Sequence, residues 1–235
     1  MRLDQYLTQN FEIQSRNKAA ELIKAKKVRV DSQVITKASF DVDENSKIEL
    51  LEEDFYVSRA AYKLKYFLEE LNIDISNLKA LDIGSSTGGF TQILLEKGIE
   101  SVTCVDVGSN QLHERLRGNS KINFFENTDI REFEKSTTFD IVTCDVSFIS
   151  VLNILDEIDS LSKDKIIILF KPQFEVGTNV KRDKKGAVKD KKAIIKARDR
   201  FMDSCVLKNW RLIYNSPSKI EGKDGNEEEL FYFNK

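Results

Sequence analysis

From residue 58 onward, short apolar runs alternate with longer amphipathic stretches. The runs fall at residues 80–83, 101–107, 139–144, 166–170, 211–214 and 230–233. Most are nearly continuous in Val, Ile, Leu, Phe, Ala or Cys, the pattern of strands buried on both faces. Stretches with helical spacing lie between most of them, at 58–71, 89–97, 151–161 and 190–207. Strands alternating with helices predict an α/β unit with a parallel-rich sheet covered on both sides. Such folds bind ligands outside the carboxyl ends of their strands, so polar residues that close a strand are the first candidates for chemistry.

The preceding residues read differently. Residues 1–8 predict a short helix that buries Leu3, Tyr6 and Leu7. Ser15 is placed to cap a helix over 16–26, whose apolar residues Ala19, Ala20, Leu22 and Ile23 share one side. Val28-Arg29-Val30 and Val34-Ile35 flank Asp31-Ser32-Gln33, a hairpin signal, and Ile48-Glu49-Leu50 makes a further short strand. This is a small α+β block. The expected division is residues 1–51, a linker at 52–57, and residues 58–235.

Charge sharpens that division. Over 235 residues, 37 Lys+Arg stand against 39 Asp+Glu, a net of −2. The pI of about 5.7 excludes a protein that coats nucleic acid through bulk charge. The distribution is uneven, however. Residues 1–40 hold eight basic and four acidic residues, a local +4; residues 41–56 hold seven acidic residues and one lysine, a local −6. Residues 163–200 hold 13 basic and five acidic residues, a local +8. Basic faces can therefore exist on an acidic chain.

Other classes are disfavoured. No run of ~18 apolar residues predicts a membrane span, and the N-terminal residues contain no apolar signal core. Cys104, Cys144 and Cys205 are odd in number, far apart and in apolar context, which reads as buried, reduced thiols of a cytoplasmic protein without a metal site. His113 is the one histidine, and no nucleophile-elbow motif accompanies it.

The strongest chemical signal is Asp82-Ile83-Gly84-Ser85-Ser86-Thr87-Gly88-Gly89-Phe90, an apolar strand running into a glycine-rich turn and then a helix. Glycines there let the backbone approach a ligand at the strand end. The dinucleotide pattern G-x-G-x-x-G is absent, because Ser86 stands at its second glycine. The segment resembles instead the methyltransferase form D-x-G-x-x-x-G-G-F, which binds S-adenosylmethionine. That resemblance implies that Gly84, Ser85, Ser86, Thr87, Gly88 and Gly89 line the methionine and ribose portions, flanked by Asp82 and Phe90. Asp106, with Val107 beside it, closes the next strand and would hold the ribose. Asp129 and Ile130 would lie beside the adenine.

Three more segments are polar at or near expected strand ends: Asp145-Val146-Ser147-Phe148-Ile149-Ser150, Lys171-Pro172-Gln173-Phe174-Glu175, and residues 221–229 with Glu227-Glu228-Glu229. A helix opens with Ser58-Arg59-Ala60-Ala61-Tyr62-Lys63-Leu64. The first block, with Arg2-Leu3-Asp4, then Ser15-Arg16 opening a helix, then Lys27 to Asp31, resembles the S4 RNA-binding domain. Taken in order, the whole set resembles the TlyA (hemolysin A) family of ribosomal RNA 2′-O-methyltransferases, an S4 domain followed by an FtsJ-like domain. The resemblance implies a Rossmann-like, class I S-adenosylmethionine-dependent methyltransferase fold.

It also implies a Lys-Asp-Lys-Glu tetrad. The first lysine maps to Lys63, with Lys65 on a different helix face as the alternative. The others map to Asp145 and Lys171, and to one of Glu227, Glu228 and Glu229, with the spacing from Gly225-Asn226 favouring Glu228. A ribose 2′-hydroxyl is a poor nucleophile while protonated. A buried lysine can act as its general base or steady the developing alkoxide. Lys171 takes that role in this reading, Asp145 orients it, and Lys63 and Glu228 fix the ribose. No metal is called for.

The implied partner is ribosomal RNA within a ribosomal subunit, with no membrane partner required. Arg2, Arg16, Lys18, Lys24, Lys26, Lys27 and Arg29 would form one RNA-facing surface. Arg59 and the segment Lys181, Arg182, Lys184 and Lys185, read as a mobile loop, would contribute another. Members acting on both subunits carry a short helical extension; this chain stops two residues after its last expected strand, so the expected target is a cytidine of large-subunit RNA alone. Two other classes remain beside this one: a membrane-active hemolysin-like protein, and a noncatalytic RNA-binding assembly factor.

Overall fold

A computed structural model describes the chain except residues 12, 14, 44, 51–55, 135–136 and 223–224. The chain divides into two compact units, Met1–Phe55 and Tyr56–Lys235. Residues 52–55 of the expected linker lie outside the described residues.

In the first unit, helices α1 (Leu3–Asn10) and α2 (Arg16–Lys24) accompany a three-stranded antiparallel sheet. Its strands are β1 (Val28–Val30), β2 (Gln33–Val34) and β3 (Ile48–Leu50), in the order β2-β1-β3. The Ser15 hydroxyl accepts from the Lys18 N–H, the capping bond its position called for. Leu3, Leu7, Ala19, Ile23, Val28, Val30 and Val42 form the core, and Tyr6 packs against it half-buried. The hairpin turn has two residues rather than the expected three. Val30 pairs with Gln33, and Asp31 and Ser32 both take positive φ. That left-handed pair matches the twist of the flanking strands.

The second unit is a seven-stranded sheet. Its strands are β4 (Lys79–Ile83), β5 (Ser101–Val105), β6 (Ile122–Phe125), β7 (Phe139–Cys144), β8 (Ser162–Phe170), β9 (Arg211–Pro217) and β10 (Glu229–Asn234). They lie in the order β6-β5-β4-β7-β8-β10-β9. The first five are mutually parallel; β10 runs antiparallel to β8 and pairs on its other side with β9. β6 has no counterpart among the expected strands.

Side chains alternate between two cores with a period of two. Leu81, Ile83, Ile166, Ile168, Phe170, Phe231 and Phe233 face one core with helices α5 (Leu155–Leu161) and α7 (Lys191–Leu207). Ala80, Ile167, Leu169, Leu230 and Tyr232 face the other with α3 (Arg59–Leu71) and α4 (Gly89–Glu96). Both faces are covered, so the apolar runs are continuous. A 3-10 turn, Val151–Ile154, precedes α5, and a short helix α6 (Pro172–Glu175) follows β8.

Candidate active site

The glycine turn leaves β4 at its carboxyl end and enters α4 through Gly88. With the ends of β7 and β8 it borders a cavity of about 170 Å³. From the turn, Gly84, Ser85, Ser86, Thr87, Gly89 and Phe90 line it; Asp145, Ser147 and Lys171 line it from the strand ends; Ser58 and Ala60 close it from the start of α3. Ser58, Ala60 and Ser147 were not singled out individually from the sequence, though each lies in or beside a noted motif.

Ser58 is unusual for an N-cap residue. Its side chain makes no capping bond, and its hydroxyl is buried without a hydrogen-bond partner among the described residues. Gly89 leaves room for it, since a Cβ there would stand 2.1 Å from the Ser58 oxygen.

Other expected ligand residues lie outside the lining. Asp82 is fully buried beneath the turn, accepting from the Thr91 hydroxyl (2.6 Å) and the Thr143 hydroxyl (2.8 Å). Burial raises its pKa to about 6. Asp82 thus supports the turn from below. Asp106 accepts from the Ser86 N–H (2.8 Å) and the Gly108 N–H (2.7 Å), which fixes the turn against the end of β5. Val107 is 71% exposed, and Ile130 is buried in the core. Asp129 is ion-paired with Arg131 at 2.5 Å, and that contact holds its pKa down to about 2.

The four tetrad positions form two ion pairs. Lys171 Nζ lies 2.5 Å from Asp145 Oδ1 and donates to the Ser147 hydroxyl at 2.9 Å. Lys63 Nζ lies 2.5 Å from Glu228 Oε2, with both side chains buried. Burial raises the Asp145 pKa; Lys171 opposes that, and Lys63 and Glu228 also act on it. Gln173 donates from Nε2 to the second Glu228 oxygen at 3.0 Å, so each oxygen of that carboxylate has its own donor.

Strand register delivers these groups. Ile83 pairs with Cys144, which sets Asp145 beside the start of the glycine turn. Glu229 pairs with Phe170 across the antiparallel β8–β10 ladder, so the next step places Glu228 opposite Lys171. Among the three glutamates, Glu227 is exposed and Glu229 is bonded to Arg198 at 2.8 Å. Only Glu228 points inward. Lys65 bonds the Tyr56 hydroxyl instead.

A family model described as FtsJ-like methyltransferase matches residues 56–235. The chain belongs to the FtsJ-like methyltransferase family. A second model, the S4 domain, matches residues 1–48. The chain is 49% identical to the 23S rRNA (cytidine-2′-O)-methyltransferase TlyA of Campylobacter jejuni, over 99% of each. It is 32% identical to Hemolysin A of Brachyspira hyodysenteriae, again over 99% of each. The solved structure of a Streptococcus thermophilus protein described as a hemolysin is 28% identical; it matches with a TM-score of 0.72, covering 100% of this chain and 88% of the other. As a family member the chain is a methyltransferase, with an α/β Rossmann-like catalytic unit and an S4 domain before it.

The expected RNA-facing residues divide into two sets. Arg2 and Arg16 are exposed but share Asp4, at 2.9 and 3.0 Å. Lys18, Lys24, Lys26 and Arg29 are exposed, and Lys27 is half-buried. In the second unit, Arg59 donates to the Glu221 carbonyl, and Arg182 donates to the carbonyls of Gln173 (2.9 Å) and Gly177 (3.2 Å). The segment expected to be a mobile loop is a closed turn. Arg182 bridges Val188, and the Asp183 carboxylate accepts from the N–H groups of Lys185 and Ala187. Lys181, Lys184 and Lys185 project from it exposed.

Proposed function

We propose that this chain is an S-adenosylmethionine-dependent 2′-O-methyltransferase acting on a cytidine ribose of large-subunit (23S) ribosomal RNA in the cytoplasm. The observation that carries the reading is that the Lys171–Asp145 ion pair lines the glycine-turn cavity. The similarity to the Campylobacter enzyme over almost the whole chain supports the RNA and the base. The cavity residues fit the cofactor: glycines and small polar side chains of the turn let a ligand approach the strand end closely, and the Ser58 hydroxyl has no hydrogen-bond partner among the described residues.

S-adenosylmethionine, when bound, supplies an electrophilic methyl group. The protein must then hold the 2′-oxygen in line with it and manage one proton. Lys171 takes that proton or steadies the oxygen as charge develops, held in place by Asp145 and the Ser147 hydroxyl. Lys63 and Glu228, locked to one another and to Gln173, present a fixed polar wall to the ribose. Phe148, three residues after Asp145, is 88% exposed, with its ring centroid 5.4 Å from that of Phe174. An exposed aromatic face suits a base unstacked from its strand. The S4 unit and the lysines of the 181–185 turn engage the backbone of folded RNA.

The test is a map of ribose methylation on both ribosomal RNAs, from cells with and without this protein. The expected result is one large-subunit cytidine methylated only in its presence, and lost with Lys171→Ala. Identical maps would reject the reading.

A further inference from the structure

The mechanism leaves one buried carboxylate at the site unused. Glu175, 4% exposed, closes α6 just after Lys171. Its Oε2 accepts from the Ser150 hydroxyl at 2.6 Å, and its Oε1 accepts from the Val151 N–H at 2.8 Å. Both donors belong to the segment that follows Asp145. Burial raises the Glu175 pKa against the pull of these bonds, so the carboxylate is kept there at a cost.

The two segments meet step by step. Lys171 contacts Asp145 and Ser147, Phe174 packs on Phe148, and Glu175 holds Ser150 and Val151. Between the two anchors Phe148 takes φ of +67°, a left-handed conformation that strains a bulky residue and persists only where its surroundings impose it. Lys171 grips one side of the strained residue and Glu175 the other. On the far side, Arg200 of α7 donates to the Glu175 carbonyl at 2.6 Å, which fixes the anchor to the scaffold.

We propose that Glu175 is a positioning residue for methyl transfer: it clamps the 145–151 segment to the 171–175 segment, and so sets the alignment of Asp145 with Lys171 and the pose of Phe148. This rests on the reading of Asp145 and Lys171 as the reacting pair. Glu175 touches neither the cavity nor those two side chains, so its effect passes through the segment it holds.

The experiment measures label transfer from methyl-labelled S-adenosylmethionine to large ribosomal subunits lacking the modification, with Kd for S-adenosylhomocysteine determined by calorimetry. Glu175→Ala should lower kcat by about 10- to 100-fold, the scale of a small misplacement, with KM and the Kd within about threefold of wild type. Glu175→Gln can still accept from the Val151 N–H and face the Ser150 hydroxyl; it should recover most of kcat. Ser150→Ala, which removes one bond and leaves the carboxylate, should lower kcat several-fold and decides the matter if Glu175→Ala does not fold. An unchanged kcat in Ser150→Ala and Glu175→Ala would overturn the proposal. So would a parallel fall in kcat and cofactor affinity, which marks a merely structural role. Asp145→Ala is the separating control: full activity there rejects the reacting pair itself, whereas an inactive Asp145→Ala beside a fully active Glu175→Ala rejects only the clamp.

Discussion

Lys63 and Glu228 lie 165 residues apart in the chain and 2.5 Å apart in the fold. Each is buried, so neither charge can turn to water if the other is removed. Removing one partner of a buried pair costs about 3–5 kcal/mol. Lys63→Ala and Glu228→Ala should each lower the unfolding midpoint clearly, while Lys63→Met with Glu228→Leu should recover much of that stability and none of the methyl transfer. Thermal melts beside label-transfer assays separate the two effects. A double variant no more stable than the singles would contradict the pairing.

Gly222 sets the position of that glutamate. A Cβ at residue 222 would stand 2.3 Å from Glu228 Oε1 and 2.6 Å from its Cδ. Gly222→Ala must therefore push the carboxylate away from Lys63 and Gln173. The expected outcome is a loss of methyl transfer of about tenfold or more with S-adenosylhomocysteine still bound, because the cavity lining is untouched. Wild-type turnover would show that Glu228 does not need its place.

Asp82 gives a pH dependence of definite sign. Its folded pKa of about 6 stands above the ordinary value of 3.8, so folding favours its protonated form. The penalty for ionising it is absent below about pH 4 and complete above about pH 6. Asp82→Asn should therefore gain stability relative to wild type as pH rises through that window, by on the order of 3 kcal/mol, with the gap constant above it. Urea melts from pH 4 to 8 provide the check, and a gap independent of pH would exclude the raised pKa.

Asp4 behaves in the opposite sense. Hydrogen bonds from Arg2 and Arg16 hold its pKa down to about 2. Its stabilising effect is present above about pH 4 and is lost as pH falls toward 2. Both arginines are half-exposed, so solvent screening limits the contribution to about 1 kcal/mol. Carbon-detected NMR titration of the full chain should find this carboxyl titrating well below its neighbours, and Asp4→Asn should leave both arginines less ordered.

Most of the catalytic unit was legible in the chain because its strands are buried on both faces and therefore unbroken in apolar residues. β6 was not. Its Ile-Asn-Phe-Phe segment lies at the sheet edge and is only half-buried, so it lacks the continuous run that marks the central strands. The choice among Glu227, Glu228 and Glu229 needed the β8–β10 register, which no local pattern encodes. Asp82 looked like a ligand from its place before the glycines, yet Thr91 and Thr143 had already claimed it. Ser58 and Glu175 sat inside noted motifs with nothing to mark their roles, since an unsatisfied hydroxyl and a clamping carboxylate become visible only from what surrounds them.

The position of β10 has a consequence in time. β9 is made first, yet it joins the sheet only through β10, which inserts between β8 and β9. A growing chain can complete the glycine turn, the cavity lining and the Asp145–Lys171 pair before residue 228 exists. During that interval Lys63 lacks its Glu228 partner. The site is therefore completed from its far end, and a nascent polypeptide that already holds its cofactor pocket is still missing the last of its four charges.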